Sequence, residues 1–294
     1  MAADPARYSL SLSPRTKRRK VVNAAMQTLA TLAALSAVAV LVVVIYSVAR
    51  RGLPALSWDF FTKTAATFGQ SGGGVANALV GSFVIVGLAA LMAVPVGILV
   101  ALYVTEFAPP SLAAATRLVL DILNGLPSII VGIFVYGLLV IGSGQAAWKG
   151  SVAIAIIMLP LVARATQEVL GLVPSSLREG ALALGASRWR TVLGVVLPTS
   201  IGGILTGTVL AVARGAGETA PLLFTTSIAA NAVTWDPRQP VLSMPFDIFV
   251  LSESPDPADH ARAWALGFVL ILFVLITSLT ARLALVRYRK RLEG

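Results

Sequence analysis

Glu179-Gly180-Ala181-Leu182-Ala183-Leu184-Gly185 is a polar island between long apolar runs. Ser187-Arg188-Trp189-Arg190 follows it, and Val195-Val196-Leu197-Pro198 closes the stretch. Ser176 and Glu179 fit a capping box, serine at N-cap and glutamate at N3, so this spacing predicts a short helix starting there, with Pro174 just ahead of it. Gly180 weakens such a helix by roughly 1 kcal/mol relative to alanine. Gly185 predicts a left-handed stop. A second short helix from Ser187 onward would present Arg188, Trp189 and Arg190. From these residues alone, Glu179 could simply cap its helix while the arginines solvate a loop or meet lipid headgroups.

What surrounds the island sets the class. The chain has 294 residues, 57% hydrophobic and 12% charged, with a mean hydropathy of +0.86, too apolar for a soluble domain. The net charge of +10 does not point to nucleic acid, because the basic residues gather at the ends of apolar runs. Without cysteine there is no disulfide, thiol nucleophile or Cys-zinc site. The first apolar run, Val21 to Ala49, exceeds the ~7–15 residue core of a cleavable signal and is expected to stay as a span.

A bilayer core takes about 20 apolar residues per helix. Six runs are candidates: Val21–Ala49, Val75–Val104, Leu118–Gly142, Ser151 to about Leu170, Thr199–Thr225 and Ala263–Leu285. The expected fold is an all-α, polytopic membrane helix bundle over residues 21–286, between basic tails at 1–20 and 287–294, with a polar loop at about 174–198. The connection holding Pro237, Pro240, Pro245, Pro255 and Pro257 reads as an outer loop too short for its own domain. No internal repeat stands out. If the N-terminus is cytoplasmic, that side holds Arg7, Arg15, Lys17 to Lys20, Arg117, Arg164, Arg178, Arg188, Arg190, Arg282, Arg287 and Arg289 to Arg291. The other side holds only Arg50, Arg51, Lys63, Lys149, Arg238 and Arg262. The positive-inside rule then puts both termini and the polar island in the cytoplasm.

With that placement the island resembles the cytoplasmic EAA loop of ABC-importer permeases, with Gly180 where the pattern has alanine. Leu120-Asp121-Ile122-Leu123-Asn124-Gly125-Leu126-Pro127-Ser128-Ile129 and Arg214-Gly215-Ala216-Gly217-Glu218-Thr219-Ala220-Pro221-Leu222 resemble signatures of phosphate-importer permeases of the PstA type. The resemblance runs from about Val75 through the C-terminus. It implies a type I ABC-importer permease in the cytoplasmic (inner) membrane, whose ATPase-coupling loop would use Glu179, Gly180, Ala181, Gly185, Arg188 and Arg190. It further implies a similar second permease subunit, ATPase subunits that hold ATP and Mg, and an extracytoplasmic phosphate-binding protein. No cofactor is expected on this chain, which lacks a Gly-x4-Gly-Lys-Ser/Thr loop, a His-Glu-x-x-His pair and a nucleophile elbow. Sulfate or molybdate permeases share the EAA loop, but the Gly217-Glu218-Thr219-Ala220-Pro221 segment argues for phosphate. A stand-alone channel would leave a docking loop without purpose.

The charges inside runs carry the remaining expectations. Intramembrane ionisable groups are costly and face protein or a watery cavity. Arg214 and Glu218, about midway along the fifth run, are four apart and on a helix would share a face. Two readings stand open: an ion pair that lets the helix pack, or an anion path in which arginine's two-pronged donor set draws phosphate. Arg164 and Glu168 repeat the spacing nearer a span end and read as an interfacial pair with a snorkelling arginine. Asp121 and Asn124 precede Pro127, whose missing N–H frees a carbonyl that they could bridge. Gly203 and Gly207 form a small-xxx-small packing step. His260, the only histidine, reads as solvated.

Overall fold

Where no water can satisfy the backbone, the chain must satisfy itself, and helices do so within one segment. The computed structural model describes residues 14–64, 73–227 and 231–293, and divides into a unit through Val48 and a unit from Ala49 on. The first unit holds most of α1 (Pro14–Gly52), an unbroken helix. In the second, a serine-capped helix α2 (Trp58–Thr62) precedes α3 (Ala76–Leu102), which ends in a π turn over Tyr103–Phe107. Helices α4 (Pro110–Gly125) and α5 (Ser128–Val135) come next, then α6 (Ala147–Gly171). The polar island forms α7 (Ser175–Ala183) and α8 (Arg188–Thr191). A π turn over Val192–Val196 leads into α9 (Leu197–Ala216). The short α10 (Leu222–Thr225) and α11 (Met244–Ser252) precede α12 (Pro257–Glu293). Among the described residues five helices are long and apolar enough to cross a membrane, or six if α4 and α5 are one broken span.

Two expected spans are corrected. The run Leu118–Gly142 is not one helix: α4 and the α5 segment meet at 96°. Pro127 disfavours helical geometry in the residue before it, and Leu126 is accordingly extended, with φ −69° and ψ 134°. The run Thr199–Thr225 stops at Ala216, with Gly217 as its C-cap. Beyond it the backbone turns through Glu218 and Thr219 before Pro221 opens α10.

The core is built around α6. On α3, Ala89, Ala93, Gly97 and Ala101 recur every fourth residue and are all buried. A Cβ at Gly97 would fall 2.9 Å from the Val162 side chain. On α9, Gly203, Gly207, Ala211 and Gly215 keep the same spacing. Added Cβ atoms would meet Val169 at 2.5 Å from Gly203, Ala165 at 2.4 Å from Gly207 and Met158 at 2.7 Å from Gly215. Such rows let helix backbones approach closely, the main source of helix affinity where lipid removes the hydrophobic drive. Ile154 and Met158 of α6 are fully buried beside Ile85, Ala89 and Ala93 of α3.

At the end of α6 opposite α7, the connection expected to be a plain polar loop is partly core. Val241, Leu242, Met244 and Phe246 are buried, with the last three packed on Phe60, Val75 and Leu266. The Met244 N–H donates to the Ser82 hydroxyl at 2.7 Å. The Gln239 and Pro237 carbonyls accept from Ala147 and Trp148, each at 2.9 Å, meeting donors that a helix start leaves unpaired. Its prolines mask an apolar stretch from Val241 to Leu251 that could have been read as buried. Asp247 on α11, outside the span helices, is 6% exposed. Its neighbour Arg262 is paired with Asp259. Burial raises the Asp247 pKa from 3.8 to about 6, Arg262 lowering it and Asp259 raising it further.

A raised folded-state pKa on an acid means the folded protein holds the proton more tightly than the unfolded chain. Asp247 therefore penalises folding above pH 6, by about 3 kcal/mol for a rise from 3.8 to about 6, and the penalty fades as pH falls toward 4. Asp247→Asn should raise the melting temperature in detergent at pH 7.5 and flatten its dependence on pH between 7.5 and 5.

Candidate coupling loop and translocation path

The polar island departs from the expected capping box. Helix α7 begins at Ser175, and its N-cap is Pro174, with φ −58°, ψ 139° and no side-chain cap bond. Pro174 already turns the extended chain into helix, so Ser176 lies inside the first turn and its hydroxyl is no longer at the cap. Glu179 is exposed and makes no hydrogen bond or ion pair among the described residues. Gly180 sits within the helix, and a Cβ added there would have nothing within 4 Å. The C-terminus ends in a two-bond cap: Gly185 N–H donates to Leu182 O at 2.9 Å and Ala186 N–H to Ala181 O at 3.1 Å. Gly185 has φ +82°, the left-handed geometry this motif requires. Ser187 then caps α8 through Arg190 N–H at 3.4 Å. Arg188 lies 5.5 Å over the Phe107 ring, and Trp189 packs on that ring from 5.6 Å. Leu177, Leu182 and Leu184 are exposed on and just past α7, leaving an apolar and acidic surface beside the basic α8.

Behind this surface lies a cleft of about 340 Å³, lined by Glu106, Arg178, Leu182, Arg188, Thr191 and Val192. Glu106 belongs to the π turn after α3 and is 6% exposed. Arg178 Nη2 bonds its Oε1 at 2.8 Å. Sequence reasoning missed this pair. Its one signal is an acid in Thr105-Glu106-Phe107, at the end of an otherwise uncharged span.

Deeper in the bundle the polar residues regroup. Arg164 does not pair with Glu168. It pairs with Asp121 of α4 and donates to the Arg117 carbonyl at 3.2 Å, while Glu168 is exposed. An arginine four residues ahead of a glutamate is the weaker order on a helix, because it runs against the helix dipole. Asp121 is thus engaged with α6 and not with the Pro127 break, and Asn124 is exposed.

Arg214 is corrected as well: it lies in the last turn of α9, and Glu218 lies beyond the helix end. The two still meet, Nε to Oε1 at 3.6 Å, with Glu218 15% exposed and Arg214 56% exposed. The contacts of Gly203 with Val169, Gly207 with Ala165 and Gly215 with Met158 set α9 antiparallel to α6. That register puts Arg214 level with Met158, near the middle of Ala147–Gly171. A half-exposed guanidinium at that depth cannot face hydrocarbon without a large cost. Among the described residues no group of three or more His, Cys, Asp or Glu could hold a metal ion.

The family described as binding-protein-dependent transport system inner membrane component matches residues 93–290. The phosphate transport system permease protein PstA of Haemophilus influenzae is 39% identical over 267 residues, which cover 90% of this chain and 94% of that protein. The protein of the same name from Xylella fastidiosa strain Temecula1 is 40% identical over 276 residues, 92% and 95% of the two chains. Among solved structures, a bacterial alginate ABC transporter in complex with a pentasaccharide-bound periplasmic protein aligns with a TM-score of 0.61 at 16% identity, covering 90% of this chain and 93% of that one. The inward-facing MetNI methionine ABC transporter aligns with a TM-score of 0.56 at 16% identity, covering 72% and 93%. At those identities the alignments speak for the fold: a type I ABC-importer permease.

Two glycines of the α7 region should respond oppositely. Gly185→Val forces a β-branched residue into left-handed geometry, at a cost of about 1–2 kcal/mol, and should speed hydrogen exchange at the amides of residues 185 and 186. Gly180→Ala meets open space and should slow exchange through α7, gaining about 1 kcal/mol of helix stability.

Proposed function

We propose, from the premise that this chain belongs to the family of binding-protein-dependent transport system inner membrane components, that it is the membrane-spanning permease subunit of an ATP-driven phosphate importer. The near full-length relatives named as phosphate transport permeases support the substrate. The observation that carries the reading is Arg214, a half-exposed cation at mid-depth whose open side needs water or a second subunit. In this reading a similar permease faces it and the two line one path. An extracytoplasmic phosphate-binding protein loads that path from outside, and both termini of this chain lie in the cytoplasm.

Energy comes from ATPase subunits, which hold ATP and Mg and dock on the exposed surface of α7 and α8. ATP binding draws the ATPases together and pushes this loop, rocking the spans toward the outward-facing state; hydrolysis resets them. The ATPases do work only by binding the two states unequally. Arg214 offers phosphate parallel N–H donors, and Glu218 on its other side keeps the anion from binding too tightly to leave.

Phosphate uptake in cells lacking their own subunit, with membrane levels of each variant checked, tests the reading. Arg214→Gln should cut uptake about tenfold or more, the loss of a charge-assisted hydrogen bond. Arg214→Lys should be partial at best, since a point charge cannot reproduce the fork. The double change Arg214→Gln with Glu218→Gln should stay defective. Full uptake by that double variant would make the pair a structural balance and sink the anion path.

A further inference from the structure

Helix α7 buries no residue of its own and rests on the π turn that leads into α9. What ties it to the ends of α3 and α6 is one guanidinium. Arg178 Nη2 donates to Glu106 Oε1 at 2.8 Å, and Nε approaches both Glu106 oxygens at 3.3 and 3.4 Å. The same side chain donates to the Leu170 carbonyl at 2.9 Å and the Val173 carbonyl at 2.6 Å. Those carbonyls sit at and just past the end of α6, where helix acceptors lose their partners and a cation is favoured. Glu106 closes the end of α3. A single side chain of the loop therefore holds the ends of two spans, α3 and α6, which are locked to each other along the Ala89–Ala101 row. Their packed core leaves no slack to absorb a displacement at these ends.

We infer that the Glu106–Arg178 pair is the latch through which the loop moves α3 and α6 as one body, with Arg178 as its positioning residue and the latch closed throughout the cycle. The inference rests on the proposed coupling role of α7 and α8. A lysine cannot replace the arginine, because one ammonium cannot reach a carboxylate and two carbonyls in this fork-like geometry. Exchanging the two side chains cannot replace it either: a glutamate at 178 would face the carbonyls of Leu170 and Val173.

The test uses the complete importer in vesicles, with phosphate uptake and ATP hydrolysis read on the same preparation. Glu106→Gln and Arg178→Lys should retain co-purifying ATPase subunits, while phosphate moved per ATP falls about tenfold, the scale of losing one charge-assisted bond. The native chain has no cysteine, so Glu106→Cys with Arg178→Cys can be joined by a short bifunctional thiol reagent. Joining should restore the ratio, because α3 and α6 are packed as one body and a covalent tie of α7 to α3 then carries both. A normal ratio in the single variants, or a joined protein that stays uncoupled, would overturn the latch. If the unmodified chain moved no phosphate, the function reading would fail by itself. The latch would still be read from hydrogen exchange: a non-hydrolysable ATP analogue should change protection at the ends of α3 and α6 in the unmodified chain and not in Glu106→Gln. The same response in both would overturn it.

Discussion

The structure depends on α6 being gripped between two rows of small residues. Ala89, Ala93, Gly97 and Ala101 press on it from α3, and Gly203, Gly207, Ala211 and Gly215 from α9. In lipid, burying hydrocarbon gains little, and close van der Waals contact along such rows is what holds helices together. A four-residue repeat also fixes register. It is this register that brings Arg214 to the middle of α6, and the same packing lets α4 lie where Asp121 meets Arg164. The apolar grip thus decides where each costly charge can be placed.

That dependence explains what could be read from residue order and what could not. Four of the six apolar runs, the stop at Gly185 and the serine start of α8 are local properties of a few neighbouring residues, and they stand where their chemistry puts them. The Ala89–Ala101 row is as local as these, but it is hidden inside a run that is apolar all round. Partner choice is not local. Arg164 and Glu168 satisfy the spacing rule for a pair, yet α4 offers a carboxylate from outside the helix and the dipole disfavours the in-helix order. Ser176 and Glu179 satisfy the capping pattern, yet Pro174 starts the helix sooner. Pro127 announced a disturbance. Only the packed bundle shows a 96° bend there instead of a kink.

Two polar groupings among the described residues matter to the proposed importer. One is the loop surface of α7 and α8, backed by the cleft that holds Glu106 and Arg178. The other is the mid-depth pair of Arg214 and Glu218, open on one side. Helix α6 joins them: its Leu170 carbonyl is held by Arg178 and its midpoint lies against Gly215. In the proposed importer this is the route from ATP to anion. A shift of the loop reaches the charged pair along one continuous helix, which carries Pro160 between the two points.

The most direct test of this account is the subunit composition of the assembly that accompanies this chain out of the membrane in mild detergent, weighed intact by native mass spectrometry. This chain should emerge with a second permease and a pair of ATPase subunits, the ATPases lost when the α7–α8 surface is altered at Leu182 and Leu184. A chain that runs alone, or with partners that include no ATPase, would contradict it.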